Sequence, residues 1–516
     1  MSEISFVRTR MLPQGTPPVT ERGAVKWLRD NLFSGWLNSI LTVLAVVSVY
    51  YLIKGSAPWV TNGVWVAGSL KECRAALAGE SGACWAILVE RWNQFIYGFY
   101  PNTLYWRPTT AFALLFVALA PVLYYGLNRA NTIMVGVVGA LLIVALLALG
   151  TDSWHVLLAT AIFAVLTAVA WFAPKKLVYL TLAFPALGFY LLWGGSFWVP
   201  VAAMLGLGLV AFLAIWLQPR LGSILTVLLI ILLFAAWFIN PFASVLDGVG
   251  HIVGWFTSGP VYLDPGFTVS GVNYGLRDIF PLQPHVSGAL HWLMPISLDP
   301  VDSDLFGGFL LSFVIGVTAI SASLPIGIVL ALGRRSDMPL VKMLCVGFIE
   351  FVRGVPLITM LFTASLLLQY FLPPQTNFDL ILRVIILVTL FSAAYIAEVV
   401  RGGLAALPRG QYEAAGALGL NYWQAQRLIT MPQALKIAIP GIVSSFIGLF
   451  KDTTLVALVG LADPLQGIRK IVLADIDWKG IFWEPFIFVG LIFFVVCFSM
   501  SRYSMYLERK LKTDHS

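Results

Sequence analysis

Several charged and hydroxylated residues sit inside otherwise apolar stretches, and they carry whatever chemistry this chain performs. Lys451, Asp452, Thr453 and Thr454 follow one another within Leu449-Phe-Lys-Asp-Thr-Thr-Leu455. Adjacent helical residues point about 100° apart, so Lys451 and Asp452 do not pair neatly. One can face a pathway and the other a neighbouring helix, while the two hydroxyls can bond a solute or spare carbonyls. Glu350 and Arg353 are three apart, as are Glu398 and Arg401. Each of these pairs shares a helix face and can neutralise itself. Gly354 and Pro356, beside Arg353, form a kink, because proline removes an intrahelical bond and glycine relaxes the backbone. That kink either opens backbone groups to a solute or serves packing alone. Ionisable groups in apolar surroundings are costly and mark function by default. A site offering both signs suits a zwitterion with an ammonium and a carboxylate.

No nucleophile–base constellation accompanies these residues, so an enzyme reading has no support. A phosphate-cradling loop needs G-x4-G-K-[ST], and the chain contains no Gly-Lys dipeptide. The five histidines are scattered, no C-x-x-C occurs, and no metal is expected.

A second group of residues is built for contact with another protein. Gln411-Tyr-Glu-Ala-Ala-Gly-Ala-Leu-Gly419 and Ile429-Thr-Met-Pro432 lie in Arg401–Lys436, which is too polar to cross a bilayer. Pro408 suits the first turn of a helix, where its missing N–H is no loss. Ala414, Ala415 and Ala417 keep that helix slim, and Gly419 can end it with positive φ. Asn421 then caps a second helix with Gln424 at the capping-box position, and Pro432 closes it. The spacing predicts a helix–turn–helix stub with a small-residue knuckle, shaped to dock into a groove, with Glu413 offered to a basic rim.

The elements that hold these groups are membrane spans. At 59% apolar, 11% charged and mean hydropathy +0.87, the composition is that of an integral membrane protein. The net charge of +7 comes from basic residues scattered singly among apolar runs, which speaks against nucleic-acid binding. Apolar runs of about 17–25 residues stand near 34–53, 109–127, 132–150, 153–172, 177–194, 197–217, 221–240, 304–333, 345–371, 380–400, 437–461 and 481–507, about twelve spans in an all-α fold. Residues 1–33 form a polar amino terminus with no cleavable leader, so the first span is expected to remain as an anchor. Long loops are expected at 54–108 and 241–303. With the amino terminus inside, seven spans put the 241–303 loop outside and three more put Arg401–Lys436 inside. Both termini are then cytoplasmic, with about twenty cations inside against about ten outside. The same topology puts Cys73 and Cys84 in one outer loop, either bridged or as two unpaired thiols, whereas Cys345 and Cys497 sit in or beside spans.

The docking segment resembles the EAA loop of bacterial ABC importer permeases, E-A-A-x3-G-x9-I-x-L-P, with Met431 in place of leucine. Phe351-Val-Arg-Gly-Val-Pro-Leu357, Ala394-Tyr-Ile-Ala-Glu-Val-Val-Arg-Gly-Gly403 and Leu449–Leu455 are similar to the polar and general L-amino-acid branch of that family. The resemblance covers Leu305 to Lys512. It implies a five-span permease core at 304–512 with its cytoplasmic EAA loop at 401–436, preceded by a membrane block at 34–240 whose span-rich part, 109–240, short members lack. It further implies a multi-pass inner-membrane subunit that is not itself an enzyme. ATPase contact would fall to Glu413, Ala414, Ala415, Gly419, Ile429 and Pro432. The substrate pathway would draw on Arg353, Gly354, Pro356, Glu398, Lys451, Asp452, Thr453 and Thr454. The implied partners are two cytoplasmic ATPases carrying ATP and Mg, a second permease, identical or homologous, and a periplasmic amino-acid-binding protein. No cofactor is expected in this chain. The competing expectation is an ion-coupled secondary amino-acid carrier, which has no reason to keep a docking loop.

Overall fold

The computed structural model describes residues 23–124, 128–221, 229–230, 232–234, 236–237, 266–269, 272–275, 282–367 and 379–511. The predicted segment 1–22, most of the predicted span 221–240, most of 241–281, residues 368–371 of the predicted span 345–371 and Lys512 lie outside the described residues. Elsewhere a helix stands at every predicted span position. Among the described residues nine helices are long and apolar enough to cross a membrane, ten if the bent pair Pro339–Gly354 and Leu357–Leu367 is one span. At the predicted span 197–217 only the shorter stretch Trp198–Leu213 is apolar, so the count of about twelve is not reached among the described residues. The chain divides into two compact units, Met1–Glu90 with Val472–Pro485, and Arg91–Ile471 with Phe486–Ser516.

In the smaller unit, α1 (Gly23–Asn31) precedes α2 (Trp36–Thr61), which runs on beyond the predicted end at 53, carrying Gly55 and Pro58 inside it, and stops at Asn62-Gly63. The loop predicted after it contains α3 (Leu70–Ala76) and α4 (Ala86–Glu90). Ser69 caps α3 by accepting from Glu72 N at 3.2 Å. Cys73 and Cys84 are joined by a disulfide with Cα atoms 6.0 Å apart. Glu484 Oε1 accepts the Cys84 N–H at 2.8 Å, and Trp59 and Trp65 pack against Trp85.

The larger unit starts with α5 (Trp92–Tyr97) and the extension helices α6 (Trp106–Leu123), α7 (Asn128–Ala148), α8 (Ser153–Phe172), α9 (Leu177–Trp193) and α10 (Trp198–Leu221). Val117, Ala120, Val135, Leu142, Leu146, Phe163 and Leu177 form a core shared by α6, α7, α8 and α9. Two short antiparallel pairs occur: β1 (Gly195–Ser196) with the distant β4 (Ser297–Leu298), and β2 (Gly266–Val269) with its sequence neighbour β3 (Val272–Gly275). After α11 (Leu282–Leu293) come α12 (Gly308–Arg334), α13 (Pro339–Gly354), α14 (Leu357–Phe362), α15 (Leu380–Ala405), α16 (Gly410–Ala417), α17 (Tyr422–Ala425), α18 (Met431–Asp452), α19 (Pro464–Ala474) and α20 (Trp483–Leu511).

Helices α12 and α15 pack most extensively against each other within the predicted core at 304–512. Ser312, Gly316, Ala319, Ser323, Gly327 and Ala331 recur at helical spacing along α12 and are all buried. Small residues let helix backbones approach closely where lipid removes the hydrophobic drive to associate. A Cβ at Gly327 would stand 2.7 Å from Ile396 Cγ2, so nothing larger fits.

The predicted boundary at 304 falls inside this unit, where extension and core are stitched together. Val301 N donates to Trp193 O at 2.9 Å, and Arg107 Nη1 donates to Asp299 O at 2.6 Å. Gly98 bridges to Phe306, and Gly307 to Ala462. Burial pushes the Tyr100 phenol up to about 12, against the lowering effect of the nearby Arg107 charge, and its hydroxyl donates to Leu192 O at 2.8 Å.

Candidate functional site

The docking hairpin is set by local backbone chemistry. Helix α16 begins at Gly410, so Pro408 stands two residues ahead of it and not in its first turn. The helix ends in a Schellman turn: Gly419 has φ +69°, its N–H bonds Gly416 O at 3.0 Å, and Leu420 N bonds Ala415 O at 3.1 Å. Asn421 and Gln424 make a reciprocal capping box at the start of α17, at 2.9 and 3.0 Å.

Pro432 does not close this second helix. A π-turn over Gln426–Thr430 carries the chain directly into α18, with Pro432 in the opening turn. The π register displaces the hydrogen-bond ladder, so the missing proline N–H falls where none is needed. Ile429 lies half-buried in that turn.

The hairpin has two faces. Glu413, Ala414, Gly416, Ala417 and Gly419 are exposed, and so are Leu418, Tyr422, Trp423 and Leu428. Together they make an apolar patch with one carboxylate, of the kind that marks a contact surface. Ala415, placed with the contact residues by the sequence pattern, is instead 1% exposed and packed inward. Below the hairpin, Leu407, Met431 and Ala434 join a core with Ala331, Ile349 and Ile396. Arg335 Nη1 donates to the Tyr412 hydroxyl at 3.0 Å, and Gln433 Nε2 to Gln411 Oε1 at 3.0 Å.

A charge cluster lies at the same end of the core. Glu398 pairs with Arg401 as expected, through Arg401 Nε to Oε1 at 2.8 Å. The Glu350–Arg353 pairing is replaced. Arg334 Nη1 reaches Glu350 Oε1 at 2.9 Å and Glu398 Oε2 at 3.2 Å, while Arg353 Nη1 lies 3.8 Å from Glu398 Oε2 and stacks on Tyr395. The helix-face rule loses because Arg334 ends α12 beside both carboxylates. Glu398 thus sits among three guanidinium groups.

The predicted kink is a full break. Val355 and Pro356 are extended, with ψ 132° and 138°, and α13 diverges by 104° from the segment Leu357–Leu367. Lys451 is exposed and Asp452 half-buried at the end of α18. Thr453 and Thr454 donate back to Phe450 O and Lys451 O at 2.7 and 2.9 Å, so these hydroxyls serve the helix end.

Sequence reasoning missed three residues here. Arg334 and Arg335 counted only as inner-loop cations, although adjacent arginines at a span end can reach two elements. Asp463 is fully buried and caps α19, accepting from Gln466 N at 2.8 Å and Leu465 N at 3.2 Å. Burial pushes its carboxyl up to about 6. The Asp-Pro pair at 463–464, a cap followed by proline at the first helical position, is the signal that could have found it.

The structure is an all-α membrane bundle with a capped, apolar-faced hairpin between two apolar helices. Residues 323–513 match the family of binding-protein-dependent transport system inner membrane components. The glutamate/glutamine/aspartate/asparagine transport system permease protein BztC of Rhodobacter capsulatus is 53% identical over the whole of both chains. The inner membrane amino-acid ABC transporter permease protein YhdY of Escherichia coli K12 is 32% identical over 96% of this chain and 94% of its own. The glutamate/aspartate import permease protein GltK of Escherichia coli O6:H1 is 32% identical over 92% of its length but only 40% of this chain. The chain belongs to this family: it is an inner-membrane permease subunit of a binding-protein-dependent ABC importer. ATP hydrolysis in such a system resides on a separate ATPase. Nothing supports the ion-coupled carrier.

Proposed function

We propose that this subunit forms the membrane pathway for L-amino acids carrying a carboxylate or carboxamide side chain. The reading draws on the glutamate, glutamine, aspartate and asparagine printed for the relative 53% identical to it. The working complex pairs the chain with a second permease and two cytoplasmic ATPases that bind ATP and Mg, and a periplasmic binding protein delivers substrate. Residues 401–436 dock the ATPase from the cytoplasm, which fixes both termini on that side. The observation that carries this reading is the capped hairpin from Gly410 to Ala425, with its exposed apolar patch around Leu418 and Trp423. Glu413, Ala414 and Gly419 form its contact face, while Ala415, Ile429 and Pro432 set its seat on the core.

The break at Gly354 and Pro356, together with Lys451 and Asp452, lines the substrate route. The route then offers backbone groups and both charge signs to a zwitterion. Glu398 and Arg353, already satisfied within the charge cluster, act as an inner gate and leave substrate contact to the others. Residues 304–512 are the transport core, and the 34–240 extension is a scaffold for it.

The test is uptake by the complete transporter in liposomes loaded with ATP. Labelled glutamate, glutamine, aspartate and asparagine should accumulate with their binding protein present, and arginine and leucine should compete poorly. Uptake should survive collapse of ion gradients and stop when internal ATP is removed. Gradient-driven uptake without ATP, or equal competition by leucine, would overturn the proposal.

A further inference from the structure

Arg334 and Arg335 stand side by side where α12 ends; Arg335 is its cap residue, with φ −94° and ψ 1°. Consecutive residues at a helix end diverge by about 100°, and here the divergence sends two guanidinium groups to two different parts of the molecule. Arg334 holds Glu350 of α13 at 2.9 Å and Glu398 of α15 at 3.2 Å. Arg335 holds the Tyr412 hydroxyl of α16 at 3.0 Å, with its guanidinium carbon 5.5 Å from the ring centre. One dipeptide therefore touches both the charge cluster between the spans and the first helix of the docking hairpin.

We propose that Arg334 and Arg335 are a positioning relay, through which movement of the docking hairpin rearranges the inner ends of α13 and α15. The proposal rests on the docking reading above and deepens it by naming how the hairpin reaches the spans. Three features support it. The contact with Tyr412 combines a hydrogen bond with a stacked cation, so it transmits both displacement and tilt of α16.

Beside that contact lies a cavity of about 330 Å³ lined by Leu332, Arg335, Tyr412, Ala415, Leu420 and Gln426. Close-packed interiors resist displacement. This pocket is open to the surface beside Arg335, Gly416 and Tyr422, so α16 has room to shift without unseating packed side chains.

The third feature is the surplus of cations around Glu398. It is bonded by Arg401 on its own helix and approached by Arg353 at 3.8 Å, in addition to Arg334. Removing the partner of a buried charge is normally prohibitive, because the charge is left uncompensated. Glu398 can release Arg334 and remain paired, and Glu350, 54% exposed on its side chain, is released to solvent. A pull on Arg335 by α16 shifts the end of α12, and Arg334 then lets go of α13 and α15 at small cost. Both carboxylates accept from the same Arg334 Nη1, so one guanidinium nitrogen ties α13 to α15 and its departure frees both together.

The test uses the full transporter in liposomes, with Arg334→Gln, Arg335→Gln and Tyr412→Phe prepared beside Gly419→Val. Four readouts are taken: co-purified ATPase, basal ATP hydrolysis, stimulation by substrate-loaded binding protein, and uptake. Arg334→Gln and Arg335→Gln should keep the ATPase and its basal hydrolysis, yet lose stimulation and uptake by about tenfold, a coupling loss of ordinary size. Tyr412→Phe keeps the ring and removes only the acceptor, so it should lower stimulation without a folding defect. Combined with Arg335→Gln it should add nothing further, because both substitutions remove the same link. Full stimulation in both arginine variants overturns the relay. So does loss of the ATPase in step with stimulation, which would make the pair a plain anchor for the hairpin. Gly419→Val reports on docking separately: if it keeps its ATPase and its uptake, the docking reading falls, and the relay with it.

Discussion

Arg107 reads the backbone of Asp299 and not its carboxylate. Its Nη1 donates to the Asp299 carbonyl at 2.6 Å, whereas the carboxylate comes no nearer than 3.9 Å to Nη2 and is 92% exposed. The guanidinium itself is buried, and among the described residues its Nε finds no hydrogen-bond partner. Asp299→Ala should therefore change stability by no more than about 0.5 kcal/mol, as surface changes do. Arg107→Gln removes the charged donor from that carbonyl and should cost about 1.5–3 kcal/mol, the range of a charge-assisted bond. Thermal melting of the detergent-solubilised protein distinguishes the two, and equal damage from both substitutions would refute the backbone assignment.

Gly419→Val tests the hairpin. With φ +69° at this position, a β-branched residue is strained by about 1–2 kcal/mol. No atom lies within 4 Å of the position its Cβ would take, so the variant should insert at normal abundance. ATPase co-purification and uptake should both be lost, while substrate binding by the separate binding protein is unchanged.

The disulfide between Cys73 and Cys84 closes a loop with a sequence separation of 11. Such a closure stabilises by roughly 2–4 kcal/mol. Thiol labelling of the unreduced, denatured protein should find only Cys345 and Cys497 reactive, the two free cysteines. Four labelled cysteines would refute the bridge.

Asp463 predicts a pH dependence with a definite sign. Its folded carboxyl titrates at about 6, above the ordinary carboxylate range near 4. Between those values the folded protein keeps a proton that the unfolded chain releases. Stability is therefore fullest below the window and falls as pH rises through it. Asp463→Asn retains an acceptor for the Gln466 N–H and should flatten the melting temperature between about pH 4 and 6 relative to the parent. An unchanged slope in the variant would assign the dependence to other groups.

Local chemistry was readable in the sequence, and long-range partners were not. The positive φ of Gly419 and the Asn421–Gln424 box depend on neighbours a few residues away, so spacing alone announced them. The spans declared themselves by apolar length. Glu350 and Arg353 obeyed the helix-face rule on paper, but Arg334 arrives from 16 residues upstream of Glu350 and displaces that pairing. Pro432 carries the ordinary signature of a stop; only the π-turn before it turns the stop into a start. Ala414 and Ala415 are identical in type and opposite in exposure, because helix phase against the core decides which one faces out. The break at Pro356 was foreseeable in place, whereas its 104° required the fold.

The crossing of Gly98 with Gly307 limits how this gene can be cut. A Cβ on Gly307 would sit 3.0 Å from the Gly98 Cα, so the two strands meet backbone to backbone, and Gly308 N continues the seam to Ala462 O at 2.8 Å. A truncation starting at 304 would expose the polar edge that Gly98 covers, with no side chain able to take its place. Swapping this core for a short relative's permease, or expressing it as a separate polypeptide, should succeed only when residues 91–105 travel with it. In this chain residues 91–105 thus belong to the packing around the start of α12, and a cut at 304 separates groups that meet through their backbones.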